Sequence, residues 1–416
     1  MLTSQTQIQL LDGDLSIKDT RSSLRPVQPG ERIFALDVLR GFAMLGVLLA
    51  FAMWNLGSPP EQTYSQADRI IEWAATVFVD TKAYTTLAIL FGLGFSIQFT
   101  RALDRGVNVV PTYLRRLLAL IAIGIVHALL LRNGDILVPY ATIGFLLLLL
   151  RNRSNGVLLV CGLIALFFPE IARIVWAMTG IPFPRRPETG GMSYLSSNFL
   201  WVRYWYSIAI TYWPASLPMF LFGMYLGRRR FFENLSTHRK LLWVVLIGGL
   251  IVGVSALAGM SFLIRAWAKS RPPVWMFFIP TLLKSLHSWG LAAFYGSSLM
   301  LLLQRRSCQR FLAPLSAGGR MALTNYLLQS MLLIPLCIAF DLFDRVTPLM
   351  GLLFAGAVAI IQVPLSGWWL KRFRFGPAEW LWRSMTYGQI QKMRDERYIS
   401  NQFMAAKRAK ACSAER

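Results

Sequence analysis

The chain is poor in charge, in acid and in histidine. Only 15% of its 416 residues are Asp, Glu, Lys or Arg, against roughly 25% in an ordinary soluble domain, so a water-solvated globule is excluded. Acidic residues number 20 against 43 Lys and Arg, a formal charge of +23. In a soluble protein that surplus would point to nucleic acid. Here the basic residues sit in short runs between apolar stretches of roughly 20 residues, the length that crosses a bilayer core of about 30 Å. The expected partner is therefore the lipid bilayer, and no nucleic acid is expected. Four scattered cysteines (Cys161, Cys308, Cys337, Cys412), without CxxC spacing, give neither a disulfide framework nor a zinc site, and no metal is expected. Residues 1–30 are polar and lack a signal-peptide pattern, so they read as a disordered cytoplasmic tail, and 389–416 reads as a basic cytoplasmic tail suited to anionic lipid. Between them, 31–388 reads as one transmembrane helical domain.

What is present is apolar length. Windows near 33–56, 67–99, 112–131, 135–150, 156–179, 206–227, 241–264, 276–303, 321–340 and 348–370 predict an all-α, polytopic bundle of about ten helices. With the N-terminus inside, 31 of the 43 Lys and Arg fall on inward segments, so both termini are expected in the cytoplasm. The second window is interrupted at Asp80-Thr81-Lys82, so 67–79 suits an interfacial helix and the true span begins near Lys82. Residues 180–205, with the aromatic run FLWVRYWY, suit an interfacial helix or lid.

Ionisable groups at membrane depth are costly, and each is a functional candidate. Asp37 and Arg40 lie three apart at the inner end of the first span, either as an interfacial ion pair or with Arg40 offered to an anionic ligand. His127 ends the third span and Asp135 starts the fourth, with Tyr140 further on. Imidazole beside a carboxylate is a general-base arrangement, while a helix cap plus a hydrogen-bonded core histidine would use the same residues. Both readings stand at this level. Asp80 with Lys82 falls on the same outer side, as a salt bridge at a helix break or as part of a cavity mouth. Lys284 and His287 share one face of the eighth span, serving a core hydrogen bond or a cavity. Gly318-Gly319-Arg320 opens the ninth span with two flexible residues and an arginine, an arrangement a phosphate would use. Asn325 and Gln329 stack behind it in a polar stripe that interhelical bonding also explains. Gly92 and Gly94 read as small residues for helix packing.

These motifs resemble the YeiB family of bacterial inner-membrane proteins, a domain of unknown function. The likeness runs from RIFALDVLRGFAMLGVLL (32–49) through FGLGF (91–95), YLRRLLALIAIGIVHALLLRNGDIL (113–137) and LPMFLFGMYLG (217–227) to GRMALTNYLLQS (319–330) and WWLKRFRFGPAEWLWRSMTYG (368–388). The opening LDVLRG also resembles the transmembrane acyltransferases, the group that includes heparan-α-glucosaminide N-acetyltransferase. In those enzymes acyl-CoA enters from the cytoplasm and a histidine near the far side assists transfer to a sugar hydroxyl or amine. The resemblance implies an inner-membrane, multi-pass acyltransferase using acyl-CoA (acetyl-CoA) and a small-molecule acceptor. Arg40 and Arg320 would lie on the cofactor side and His127 with Asp135 on the acceptor side. From the residues themselves, Arg116 joins the candidate cofactor side, and Asp80, Lys82, Tyr140, Lys284, His287 and Asn325 are candidates for lining a substrate cavity. A homodimer is compatible with it. In the heparan enzyme the histidine follows the first span, whereas 57–66 here contain none. The alternative is a transporter or exporter without covalent chemistry, for which broken helices should recur at matching positions in two halves.

Overall fold

The computed structural model describes residues 33–54, 56, 58–232, 237–267 and 278–394. The tail expected over 1–30, and 395–416 of the basic tail, lie outside the described residues. Among those described, the protein is helical throughout, with one isolated bridge between Phe373 and Arg394 in place of any sheet. The helices longer than four residues are α1 (Phe34–Trp54), α2 (Gln66–Phe78), α3 (Lys82–Asp104), α4 (Val110–Leu130), α5 (Leu137–Leu150), α6 (Asn155–Met178), α7 (Tyr194–Ser207), α8 (Leu217–Arg228), α9 (Arg239–Trp267), α10 (Phe278–Leu302), α11 (Arg306–Arg320), α12 (Ala322–Ala339), α13 (Pro348–Leu370) and α14 (Pro377–Tyr387).

Seven helical stretches among the described residues are long and apolar enough to cross a membrane: α1, the α2–α3 stretch, α4, α6, α9, α12 and α13. The sequence windows suggested ten. The fourth window yields α5, apolar but only 14 residues long. The sixth begins eleven residues later than expected, because Pro214 sits in a 3-10 turn and Pro218 in the first turn of a new helix, leaving the 12-residue α8. The eighth forms a 25-residue α10 whose course carries Lys284, His287 and Ser288. One amphipathic helix, α11, precedes the ninth window and was absent from the expected set.

Local chemistry explains the breaks. Ser65 and Asp68 form a reciprocal capping box at the start of α2, and Asp68 also accepts Leu349 N–H at 3.0 Å, tying α2 to the start of α13. Between α2 and α3 the chain turns at Thr81, whose φ of 64° is a left-handed conformation unusual for a β-branched residue. The break expected at Asp80–Lys82 is thus present, and α3 starts at Lys82.

Without a hydrophobic drive between helices in lipid, close approach comes from small residues. A Cβ on Gly319 would overlap the Asp37 carbonyl oxygen, and one on Gly41 the Leu315 carbonyl, so α1 and α11 touch through backbone. Gly92 and Gly223 do the same for α3 and α8, and Gly249 and Gly290 for α9 and α10. Gly318 and Gly319 therefore belong to the last helical turn of α11, with Gly319 a packing contact, and are not a flexible entry to α12. Gly94 differs from Gly92: nothing lies within 4 Å of its Cβ position, and it faces a cavity instead.

Candidate functional site

A cavity of about 380 Å³ opens between α1, α3, α4, α12 and α14. One end is cationic. Arg40 comes from the first turns of α1, Arg101 and Arg105 from the end of α3, Arg116 from the start of α4, Arg320 from the end of α11, and Arg374 and Arg383 from the C-terminal segment. These seven arginines face only two lining carboxylates, Asp37 and Glu379. Asp37 is engaged by Arg40 at 2.8 Å. Glu379 is engaged elsewhere, accepting Leu323 N–H at 2.7 Å, Thr324 N–H at 3.1 Å and the Thr324 hydroxyl at 2.5 Å, which caps the start of α12. Burial pushes the Glu379 carboxyl above its ordinary range, against the Thr324 and Leu323 hydrogen bonds that lower it.

The arginines are held ready. The Arg116 guanidinium lies 4.4 Å from the centre of the Trp382 ring, and the Trp382 indole N–H donates to the Arg116 carbonyl at 2.9 Å. The Nε atoms of Arg116 and Arg320 are buried with no hydrogen-bond partner. A buried unsatisfied donor costs about 1–3 kcal/mol, more when charged, so this wall is built to receive an acceptor. Further in, Met44, Leu87, Phe91 and Leu120 make the lining apolar, and the cavity ends at Ile136, Tyr140 and Tyr326. A hole that is cationic at its mouth and apolar in its depth suits an amphipathic anion.

Behind the end wall lies a buried polar chain. The Tyr326 hydroxyl accepts Ile136 N–H at 3.1 Å and donates to Asp135 Oδ1 at 3.2 Å. Asp135 Oδ1 is 2.9 Å from His127 Nδ1, and Oδ2 accepts Val138 N–H at 2.9 Å, capping α5. His127 Nε2 is 2.9 Å from Ser330 Oγ on α12. The His127 and Asp135 side chains are 1% and 2% exposed. Since the carboxylate can only accept, it selects the tautomer with the proton on Nδ1, leaving Nε2 to accept from the Ser330 hydroxyl. Gly124 makes the arrangement fit, because a Cβ there would come within 2.8 Å of Asp135 Oδ2. Asn198 of α7 donates to the Ala128 and Leu129 carbonyls, at 2.7 and 2.9 Å, bracing the end of α4 just past His127. The 194–207 segment is thus a helix packed on the His127 turn. Cap and general-base geometry coexist at Asp135, since its two oxygens serve the two purposes separately.

Of the residues singled out in the sequence, Asp37, Arg40, Gly94, Arg116, Gly319, Arg320 and Tyr140 line the cavity, and His127 pairs with Asp135 beyond its end. The others lie elsewhere. Lys82 is buried and donates to the Thr76 carbonyl at 2.9 Å, satisfying the α2–α3 break with Asp80 as its neighbour in the turn. His287 places its nitrogens 2.9 Å from the Gly253 carbonyl and 3.1 Å from that of Val77, joining α10 to α9 and α2, while Lys284 is exposed one turn away. Asn325 donates to the Gly318 carbonyl and Ser366, both at 3.1 Å, and its own carbonyl accepts from Gln362 at 2.9 Å, forming a polar seam with α11 and α13. Residues not anticipated are Ser330, Tyr326, Glu379 and the arginines 101, 105, 374 and 383. Tyr326 and Ser330 follow Asn325 in the polar stripe of GRMALTNYLLQS, and Arg374 and Arg383 stand in the quoted C-terminal motif.

Replacing Glu379 by Ala leaves two buried N–H groups at the start of α12 without acceptors. The expected loss is about 1–3 kcal/mol of stability, read as a lower melting temperature in detergent, with Glu379→Gln intermediate because its amide oxygen still accepts.

A family profile described as "Protein of unknown function (DUF418)" matches residues 226–389, the part that supplies Arg320, Tyr326, Ser330, Arg374 and Glu379. Similarity to whole proteins extends over His127 and Asp135 as well. An uncharacterized 39.9 kDa protein from the amylase 3' region of Bacillus acidopullulyticus is 31% identical over 376 residues, covering 88% of this chain and 96% of that one. The uncharacterized protein YxaH of Bacillus subtilis is 31% identical over 404 residues, covering 88% and 97%. The uncharacterized protein YeiB of Escherichia coli is 27% identical over 402 residues, covering 86% and 96%. No solved structure matches the chain significantly. With near-complete coverage of two relatives at 31% identity and seven membrane-length helical stretches among the described residues, the chain is a membrane protein and belongs to the DUF418 family, the group of YeiB and YxaH.

Proposed function

We propose that the protein is an inner-membrane acyltransferase that takes an acyl group from cytoplasmic acyl-CoA and passes it to a hydroxyl or amine reached from the outer side. The observation that carries this reading is one cavity that runs from seven arginines to the wall in front of the His127–Asp135 pair. Excess positive charge on inward segments supports a cytoplasmic arginine end. There the guanidiniums suit the phosphates of CoA, bidentate geometry favouring Arg over Lys, and the apolar depth takes the pantetheine arm and acyl chain.

In this reading Asp135 holds His127 with Nε2 free of its proton, so Nε2 can take the proton of an acceptor hydroxyl or amine. The acceptor atom then attacks the thioester carbonyl, a C–O or C–N bond forms, and the C–S bond breaks. The thiolate leaves through the arginine end, and the proton on His127 neutralises it. Tyr326 stands between the two compartments, with its ring centroid 4.9 Å from that of His127, and has to turn aside for transfer. The same wall would serve a carrier that opens to one side at a time, and that reading needs no turnover.

Titration of acetyl-CoA and free CoA into purified protein tests the donor site. Arg116→Ala and Arg320→Ala each remove charged donors worth about 1.5–3 kcal/mol, so affinity should fall roughly 10- to 100-fold in either variant. Unchanged affinity in both, or no binding to folded wild type, rejects the reading. Binding without any transfer to a panel of hydroxyl and amine acceptors would move the conclusion to a carrier.

A further inference from the structure

Resting on that acyltransferase reading, we infer that Ser330 is a nucleophile that carries the acyl group as a covalent ester between the two sides of the membrane. Ser330, His127 and Asp135 form one hydrogen-bonded chain, Oγ to Nε2 at 2.9 Å and Nδ1 to Oδ1 at 2.9 Å. A hydroxyl bonded to an imidazole that a carboxylate orients is the arrangement that activates a serine on unrelated folds. It joins two distant parts of the chain, 203 residues apart. All three groups are buried, Ser330 completely so, which keeps water from an ester formed there.

Position supports the assignment. Tyr326 and Ser330 are one helical turn apart on the same face of α12, and Tyr326 lines the end of the cavity. Ser330 is thus one turn beyond that end. From Ala322, beside Arg320, to Ser330 the helix rises about 12 Å, a distance that an extended phosphopantetheine arm spans when its phosphate rests on Arg320. A donor bound at the arginine end therefore brings its thioester to the Ser330 level once Tyr326 swings away.

This relay replaces direct attack of the acceptor on the thioester with two steps, and each balances without any further reagent. Ser330 Oγ attacks the thioester carbonyl while its proton moves to His127 Nε2. The C–O bond forms, the C–S bond breaks, and the CoA thiolate takes the proton from His127. In the second half an acceptor hydroxyl attacks the acyl-serine and gives its proton to His127, which returns it to Ser330 as the ester C–O bond breaks. Splitting the transfer removes the need for donor and acceptor to meet, since the acyl group waits on α12 after CoA has left.

The test uses the full-length protein in detergent with acetyl-CoA labelled in the acetyl group and no acceptor. Wild type should retain label after denaturation, hydroxylamine should release it, and mass spectrometry should place it on the peptide containing Ser330. Ser330→Ala and His127→Ala should lose the label while binding free CoA with wild-type affinity, which also shows that they fold. Ser330→Cys should hold the label as a thioester. If Ser330→Ala binds acetyl-CoA and still transfers acetyl to an acceptor, or the label sits on another residue, the relay is overturned and the acyltransferase reading survives. If folded wild type neither binds CoA nor takes up label, both fall.

Discussion

His127→Ala is expected to lower acyl transfer by about 10²–10⁴-fold, the range that positioned general bases contribute, with acetyl-CoA affinity unchanged. The separation of the two effects follows from the geometry. His127 does not line the cavity; it touches Asp135 and Ser330 behind Tyr326, so its loss removes a proton acceptor without touching an arginine. Asp135→Asn should reproduce most of the loss. An amide at that position can donate to Nδ1 and stabilise the wrong tautomer, while its oxygen can still cap α5 at Val138. Steady-state transfer rates set beside CoA titrations for both variants check this. Full activity in His127→Ala would remove the histidine from the chemistry.

Gly319→Leu is expected to cost more than any single arginine. A Cβ at 319 already overlaps the Asp37 carbonyl oxygen and lies 2.7 Å from Gly41 N, so even Ala forces α1 and α11 apart. Overpacking costs about 1–3 kcal/mol where a core can yield, and two abutting backbones cannot yield by rotating a side chain. The same displacement moves Asp37, Arg40 and Arg320 together, because these sit on either side of the contact. Gly319→Leu should therefore lose both monodisperse folded protein and CoA binding, whereas Gly94→Ala, at a position with nothing within 4 Å, should keep its melting temperature. Size-exclusion profiles and melting curves of the two variants decide the point; a well-folded Gly319→Leu would show that the α1–α11 contact is looser than described.

The helical bundle was readable from apolar length, because spans in lipid must satisfy every backbone group internally and so appear as uninterrupted runs. Where the reading diverged, short-range chemistry outweighed hydropathy. Pro214 and Pro218 divided an apolar window that looked continuous. The amphipathic α11 went unseen because the charged run Arg305, Arg306 and Arg310 read as topology, although its other face packs on α1. Arg40, Arg116, Arg320, His127 and Asp135 stood out because an ionisable side chain among apolar neighbours is conspicuous. Their grouping did not, since it depends on α1, α4, α11 and α14 meeting at one end of the bundle. Lys284 and His287 drew notice for the same reason, and His287 is spent on two backbone carbonyls, of Gly253 and Val77. Ser330 gave no signal of its own, because a serine in a membrane helix is ordinary and only its contact with His127 distinguishes it. Glu379 and Arg383 sit on a short helix after the last span, where a charged surface is unremarkable until it folds back over the cavity mouth.

The measurement that bears most directly on the account is saturable binding of radiolabelled acetyl-CoA to sealed membrane vesicles of known orientation that contain the protein. With the arginine end in the cytoplasm, inside-out vesicles should bind it, right-side-out vesicles should bind only after permeabilisation, and the Arg116→Ala, Arg320→Ala double variant should bind in neither. Binding from the outer face of intact right-side-out vesicles, or saturable binding that survives loss of both arginines, would contradict the claim that this cavity is a cytoplasmic acyl-CoA site.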